Sequence, residues 1–136
     1  MAENPKAAFG NAKLNLSTVP VISTLYLAAA HDLGATKYGA FNWRENPVRA
    51  KDYVASMKRH LSQWESGEDI DDESGLPHLA CLMTGASLIL DAAHNGTMID
   101  DREVTDGYPA ALRAIAEMKK GWIAAKAERD AALAVA

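Results

Sequence analysis

Apolar residues recur at helical spacing in four segments of the chain, and almost no stretch alternates as a β-strand would. The segments cover residues 18–34, 46–67, 77–95 and 109–136. Capping residues or prolines mark their starts, and glycines mark most of their ends. The pattern predicts an all-α fold, most simply a four-helix bundle.

Length and composition indicate one globular domain over 1–136, with residues 1–16 as a mobile arm. The chain is 49% hydrophobic and 24% charged, which excludes a disordered or collagen-like protein. A formal net charge of −4 argues against a duplex nucleic-acid partner, because phosphate contacts need a basic surface. The apolar runs are too short to span a membrane, and the N-terminus carries no run typical of a signal peptide. The single cysteine, Cys81, permits no internal disulfide and suggests a cytoplasmic protein.

The third and fourth helical segments suggest an oligomer. The third is almost uncharged, and the fourth continues an alanine-rich face to the C-terminus. Four short helices leave little room to bury both faces. We therefore expect a homo-oligomer, a dimer or a tetramer.

An acidic cluster between the second and third helices is the first candidate for chemistry. Six of the nine residues from Glu65 to Glu73 are acidic. Oxygen ligands in this number suit Mg²⁺ or Mn²⁺, although a solvated loop would have the same composition. A calcium loop is a poorer match, because Gly75 is one place late and the distal glutamate of that motif is missing.

Histidines stand near both ends of this cluster. His60 precedes it on the second helix, and His78 follows it at the start of the third. Such residues are either structural or part of a site. The dipeptide His31-Asp32 is also found in HD phosphohydrolases, but no histidine precedes it here, and a capping role at a helix end is sufficient.

The run from Lys37 to Arg44, KYGAFNWR, combines two cations with three aromatic side chains. Lys37 and Arg44 are able to hold phosphates, while Tyr38, Phe41 and Trp43 are able to stack on a base. The alternative is an aromatic loop folded onto the bundle. No Walker loop, dinucleotide turn, zinc spacing or Ser/His/Asp constellation is present.

These features occur in a recognisable order. Lys13 and Pro20 precede GATKYGAFNWR, and RHLSQWESGEDIDDESGLPHLA follows it. From about Lys13 to Asp91 the chain resembles the phage dATP/dGTP diphosphohydrolase family, the MazG-like purine nucleoside triphosphate pyrophosphohydrolases. The resemblance implies an all-α fold, dependence on Mg²⁺ or Mn²⁺, and cleavage of a purine deoxynucleoside triphosphate to the monophosphate and pyrophosphate. For a phage protein it also implies control of the nucleotide pool in the host cytoplasm.

The residues fit such a reaction without a covalent intermediate. Carboxylates would hold the metal, and a carboxylate or an imidazole would accept the proton of the attacking water. The predicted metal ligands are Glu68, Asp71, Asp72 and Glu73. The predicted catalytic residues are Glu68, Glu73 and His78. The predicted substrate-binding residues are Lys37, Tyr38, Asn42, Trp43, Arg44, Lys58, Arg59 and His60.

The acidic spacing departs from the usual MazG-like pattern, Glu-x-x-Glu on one helix and Glu-x-x-Asp on the next. Glu65 and Glu68 have the first spacing across a helix end, while Glu68 and Asp71 have the second only within the loop. Two other functions remain open. One is a nucleotide-binding protein without activity, and the other is a phosphohydrolase that releases triphosphate or orthophosphate. The sequence does not distinguish adenine from guanine as the preferred base.

Overall fold

The computed structural model describes residues 2–136, and most of them are helical. The prediction of an all-α fold is confirmed. The four predicted helices correspond to α2, α4, α5 and α6, and a 3-10 turn covers Leu16–Thr18. The helices are α1 (Pro5–Gly10), α2 (Val21–Tyr38), α3 (Asn42–Glu45), α4 (Ala50–Glu65), α5 (His78–His94) and α6 (Tyr108–Val135).

The chain divides into two compact units, one ending at Arg102 and the other comprising Glu103–Ala136. The first contains α1 to α5, and the second contains α6. A single domain over 1–136 therefore stays a prediction. The mobility expected of residues 1–16 also stays a prediction. Helix α1 lies in that stretch, and Met1 lies outside the described residues.

Two predicted helix boundaries are wrong. Helix α2 passes through Gly34 and ends before Gly39, whose φ of +91° is a conformation that glycine adopts without strain. One interior glycine costs a helix only about 1 kcal/mol, so it is a weak stop signal.

The second boundary error concerns Asn46-Pro47, where α4 was expected to begin; it starts instead at Ala50. Strand β1 (Val48–Arg49) intervenes and pairs in parallel with β2 (Met98–Ile99). These two strands lie far apart in the sequence, so their pairing cannot be read from the local spacing of apolar residues.

Helix α5 is the centre of the first unit, where α4 and α2 both pack against it. It is the most buried helix, as its lack of charge predicts. The contact is close: a Cβ atom on Gly85 would lie 2.8 Å from Cγ of Met57 on α4. The buried hydrophobic side chains of the described residues are mostly alanines, namely Ala30, Ala50, Ala80 and Ala92, together with Leu88. Small residues at these contacts allow the helices to approach closely.

The residues of α6 are all exposed, and the helix buries none of its apolar side chains within the described residues. No helix in residues 2–136 combines the length and the hydrophobicity that crossing a bilayer requires.

Candidate functional site

The loop 66–77, between α4 and α5, is closed by backbone hydrogen bonds, although most of its residues are exposed. The backbone N–H of Asp71 donates to the carbonyl of Leu76 at 2.8 Å. The N–H of His78 donates to the carbonyl of Asp69 at 3.0 Å. The acidic cluster is therefore folded back against the start of α5.

One side chain of the cluster, Asp71, is fixed by this fold. Gly75 adopts a φ of +74°, and its N–H donates to the Asp71 carbonyl at 2.8 Å, which completes a tight turn. Ser74 donates to Oδ2 of Asp71 through its hydroxyl at 2.6 Å and through its backbone N–H at 3.0 Å. The Ser74 hydroxyl is the main cause that lowers the pKa of the Asp71 carboxyl, and it outweighs the opposing effect of burial. Asp71 is thus held as a carboxylate.

Two imidazoles meet beside this carboxylate. Nδ1 of His60 on α4 lies 2.9 Å from Nδ1 of His78 on α5, and the His78 side chain is completely buried. Burial lowers the pKa of His60, and the negative charge of Asp71 partly opposes this effect. Nε2 of His78 makes no hydrogen bond among the described residues, although Oε2 of Glu68 lies 3.5 Å away.

His60, Asp71 and His78 can each direct one atom to a common point, since these three atoms lie within 4.8 Å of one another. Two imidazole nitrogens and a carboxylate oxygen are suitable ligands for a divalent metal. The carboxylate alone suits Mg²⁺ or Mn²⁺, whereas the imidazoles suit a transition metal.

The other predicted metal ligands lie outside this group within residues 2–136. Glu68 contacts His78, and Asp72 lies in the exposed turn of the loop. Oε1 of Glu73 lies 3.7 Å from Nζ of Lys37. The four-carboxylate ligand set stays a prediction. Asp71 is its member in the group with His60 and His78, and Glu68 approaches only the other nitrogen of His78.

A groove of about 250 Å³ borders α2, α4 and α5 and adjoins this loop. Its wall includes Cys81, whose Sγ lies 3.9 Å from the Ser74 hydroxyl that binds Asp71. Burial raises the pKa of the Cys81 thiol, which favours the protonated form. Four of the predicted substrate-binding residues line this groove together: Lys37, Tyr38, Asn42 and Trp43.

Arg44 pairs with Asp91 on α5, and its predicted contact with phosphate stays a prediction. Its Nε and Nη2 atoms donate to the carboxylate at 2.9 and 2.8 Å, and Nε1 of Trp43 donates to the same group at 2.7 Å. These hydrogen bonds, that of Arg44 first, hold the pKa of Asp91 well below its usual range. The contact with Asp91 fastens α3 to α5.

His31 lies in the middle of α2, so its interpretation as a helix-end cap is wrong. Its Nε2 atom lies 2.9 Å from the Ser87 hydroxyl, and its ring packs against Trp43 with centroids 5.6 Å apart. A second, largely apolar cleft of about 640 Å³ lies on this side. Its wall contains His31, Trp43 and Asp91, together with several alanines.

Lys58 and Arg59 border a separate surface depression of about 400 Å³ with Ser62 and Gln63. Gln63 connects it to the loop, because its Nε2 atom donates to Oε2 of Glu68 at 3.4 Å. These two cations therefore lie near the loop but not on the wall of the 250 Å³ groove.

Sequence reasoning missed the roles of Asp91, Ser74 and Ser87. Asp91 had a usable signal, because it is the one acidic residue in an otherwise apolar helix. An isolated charge of that kind usually needs a partner. The two serines carried no such signal, since serine is common in loops and on helix surfaces.

Comparison with known proteins identifies the family of the chain. Residues 3–102 match the family described as "dATP/dGTP diphosphohydrolase, N-terminal". The chain belongs to this family. It is 31% identical over 101 residues to a dATP/dGTP diphosphohydrolase of Salmonella phage PMBT28. That alignment covers 74% of this chain but 34% of the phage protein, so the chain spans about a third of its relative. No solved structure matches the chain.

The Asp91 contact predicts a pH-dependent contribution to stability. Folding lowers the pKa of the Asp91 carboxyl. Its contribution to the free energy of unfolding is therefore complete when the pH is above the unfolded pKa of about 3.9, and it is lost as the pH falls through the folded pKa. Asp91→Asn should therefore lower the melting temperature most near pH 7, and the difference from wild type should shrink below about pH 4. Thermal melts monitored by circular dichroism at several pH values measure this.

Asp32→Asn is the matched control, because the exposed Asp32 carboxyl makes no hydrogen bond or ion pair within the described residues. It should leave the melting temperature nearly unchanged. A melting-temperature difference for Asp91→Asn that is the same at pH 3 and pH 7 would contradict the assignment.

Proposed function

We propose that this chain acts in the metal-dependent hydrolysis of purine deoxynucleoside triphosphates, dGTP or dATP, to the monophosphate and pyrophosphate. The ion is Mg²⁺ or a transition metal such as Mn²⁺. The proposed setting is control of a phage nucleotide pool in the host cytoplasm. The name of the Salmonella phage relative supports the substrate class.

The carrying observation is that Ser74 connects the metal-type group to the groove within the matched region. Ser74 binds Asp71 on one side and contacts Cys81 of the groove on the other. The groove's volume of about 250 Å³ is just below the roughly 300–1,000 Å³ of typical ligand pockets. It therefore suits the base of a nucleotide better than the whole molecule.

In the proposed reaction a water oxygen forms a bond to the α-phosphorus. The bond from this phosphorus to the oxygen that bridges to the β-phosphorus breaks, and pyrophosphate leaves. Oε1 of Glu68 accepts the water's proton, because both contacts of this carboxylate within residues 2–136 go to Oε2. A bound divalent ion would neutralise phosphate charge and make the water more acidic.

The remaining substrate contacts follow from where the side chains lie. Tyr38 and Trp43 offer aromatic surface to a purine, and Asn42 offers an amide to its edge. Lys58 and Arg59 neutralise the charge on the departing pyrophosphate from the neighbouring depression. Lys37 lies between the groove and the acidic loop through its ion pair with Glu73.

A second candidate function is nucleotide binding without hydrolysis. Two findings favour this function. The alignment covers 34% of the phage protein, and the matching family is described as an N-terminal region. The chemistry of that relative then depends on residues beyond the region shared with this chain. The products formed from a nucleotide distinguish the two functions.

One prediction of the proposed function concerns the products formed from a nucleotide. With Mg²⁺ or Mn²⁺, dGTP or dATP should yield the monophosphate and pyrophosphate, and pyrimidine substrates should react more slowly. Glu68→Gln should lower kcat by about 10²–10⁴-fold, the usual contribution of a positioned acid or base. Ion-exchange chromatography of a deoxynucleotide panel measures both.

Glu65→Gln is the control for this variant, because Glu65 lies at the exposed end of α4 and makes no ion pair within residues 2–136. Wild-type turnover in Glu68→Gln would place the proton acceptor elsewhere. Tight nucleotide binding with no product would favour the second function, and triphosphate or orthophosphate as product would indicate a different phosphohydrolase.

The second prediction concerns base recognition by Tyr38, which is 71% exposed and lines the groove. Base stacking on an aromatic ring contributes about 1–3 kcal/mol, so Tyr38→Ala should raise KM by about 5- to 150-fold. The value of kcat should change little if the ring contacts ground and transition states equally. Steady-state kinetics with the preferred purine substrate measures both constants.

Tyr26→Ala is the matched control, since Tyr26 lies on the same helix but outside the walls of both clefts. It should retain the wild-type KM. An equal rise in KM for both tyrosine variants would show that damage to α2, rather than lost stacking, is responsible.

We also propose that the chain forms a homo-oligomer. Val21, Ile22 and Leu25 on α2 are each more than half exposed, and burial of such side chains contributes about 25 cal/mol per Å². Ile22→Glu should therefore shift a dimer or tetramer towards monomer, as measured by light scattering at micromolar concentration. Ala55→Glu, at an exposed position of α4, should leave the assembly intact. A monomeric wild-type protein would contradict the proposal.

A further inference from the structure

The separation of the two imidazoles suits ligands of one metal ion. Nδ1 of His60 and Nδ1 of His78 lie 2.9 Å apart, so without a metal one nitrogen donates a hydrogen and the other accepts it. Metal–imidazole bonds are about 2.0–2.1 Å long. Two such ligands at octahedral or tetrahedral angles lie roughly 2.9–3.4 Å apart. The observed separation of 2.9 Å is therefore the one expected of two ligands of a single metal ion.

Asp71 supplies the third donor, and it is positioned independently of any metal. The two hydrogen bonds from Ser74 fix its carboxylate. One of its oxygens lies within 4.8 Å of the ligand atoms of both histidines. Three protein ligands leave further coordination positions open, as in catalytic metal sites.

The far side of the His78 ring gives a second, separate indication of a metal. The ring is completely buried, and its Nε2 atom makes no hydrogen bond within the described residues. A carboxylate oxygen, Oε2 of Glu68, lies 3.5 Å from this atom. A histidine that binds metal through one nitrogen usually directs its other N–H at a carboxylate, which orients the ring. Oε2 of Glu68 is placed for that positioning role, and Oε1 is the atom to which the proposed function assigns the proton of the water.

We infer that His60, Asp71 and His78 bind one divalent transition-metal ion, such as Mn²⁺, Co²⁺ or Zn²⁺, in preference to Mg²⁺. Imidazole nitrogen suits transition ions, whereas Mg²⁺ prefers oxygen ligands and retains its waters. Asp72 and Glu73 are then not ligands. The inference specifies which ion the proposed function would use. Only the catalytic role of that ion rests on the proposed function, because metal binding is measurable without nucleotide.

The test is a Co²⁺ titration of the untagged chain, followed by visible absorption. One Co²⁺ per chain should bind, Zn²⁺ should displace it, and a large excess of Mg²⁺ should not. His60→Gln and Asp71→Asn should each weaken Co²⁺ binding by at least about 10- to 100-fold, the effect seen for outer-sphere partners alone. His94→Gln and Asp72→Asn are the matched controls and should bind Co²⁺ as the wild type does.

Circular dichroism establishes that each variant is folded before its affinity is compared. Should His60→Gln not fold, Asp71→Asn and the Mg²⁺ competition on the wild type still decide the matter. The inference is overturned by absence of Co²⁺ binding, by displacement with Mg²⁺, or by equal affinity in Asp71→Asn and Asp72→Asn. Co²⁺ binding as expected, without pyrophosphate release from any purine deoxynucleotide, would overturn the proposed function and leave the metal site standing.

Discussion

Complete burial of the His78 side chain is the constraint on which the arrangement of the site depends. An imidazole removed from water needs partners for its nitrogens, because an unpaired buried polar group costs free energy. His60 partners one nitrogen, and the backbone N–H of His78 is bound to the Asp69 carbonyl. Loop 66–77 must therefore return to the start of α5. This backbone hydrogen bond holds the acidic loop against the start of α5, where Asp71 lies beside the two rings.

Close helix packing makes this burial possible. Ala80 and Ala92 on α5 are almost fully buried, and Gly85 leaves no space for a Cβ against Met57. With so little side-chain volume between α4 and α5, His60 and His78 lie within hydrogen-bond distance across the contact. Larger residues at these positions would separate the helices, and the imidazoles would no longer face a common point.

The helices could be predicted from sequence, because helical spacing is a local property. One boundary error arose from a weak local signal, Gly34, and the other arose from a contact between distant residues. The pairing of Val48 with Met98 delays the start of α4, and no local pattern near Asn46 records it. In the acidic loop, composition predicted four similar carboxylates. Which of them turns inward depends on the closure of the loop and on Ser74, and such hydrogen bonds are not visible in spacing. The two histidines near the ends of the cluster indicated the site better than the carboxylates did. Their positions on successive helices follow from helical spacing, which is readable in the sequence.

The contact of Ser74 with Cys81 connects the metal-type group to the groove, two features that the sequence alone could not connect. Ser74 binds Asp71 and contacts Cys81, and Cys81 borders the space that Tyr38 and Trp43 also line. Trp43 is fixed in turn by its hydrogen bond to Asp91, so the aromatic wall is anchored to α5. The same helix carries His78. A molecule that occupies the groove therefore meets side chains whose positions are set by the helix that presents the buried imidazole. Cys81 and His78 lie within about one turn of each other on α5, so the helix fixes the distance between this part of the groove and the buried imidazole.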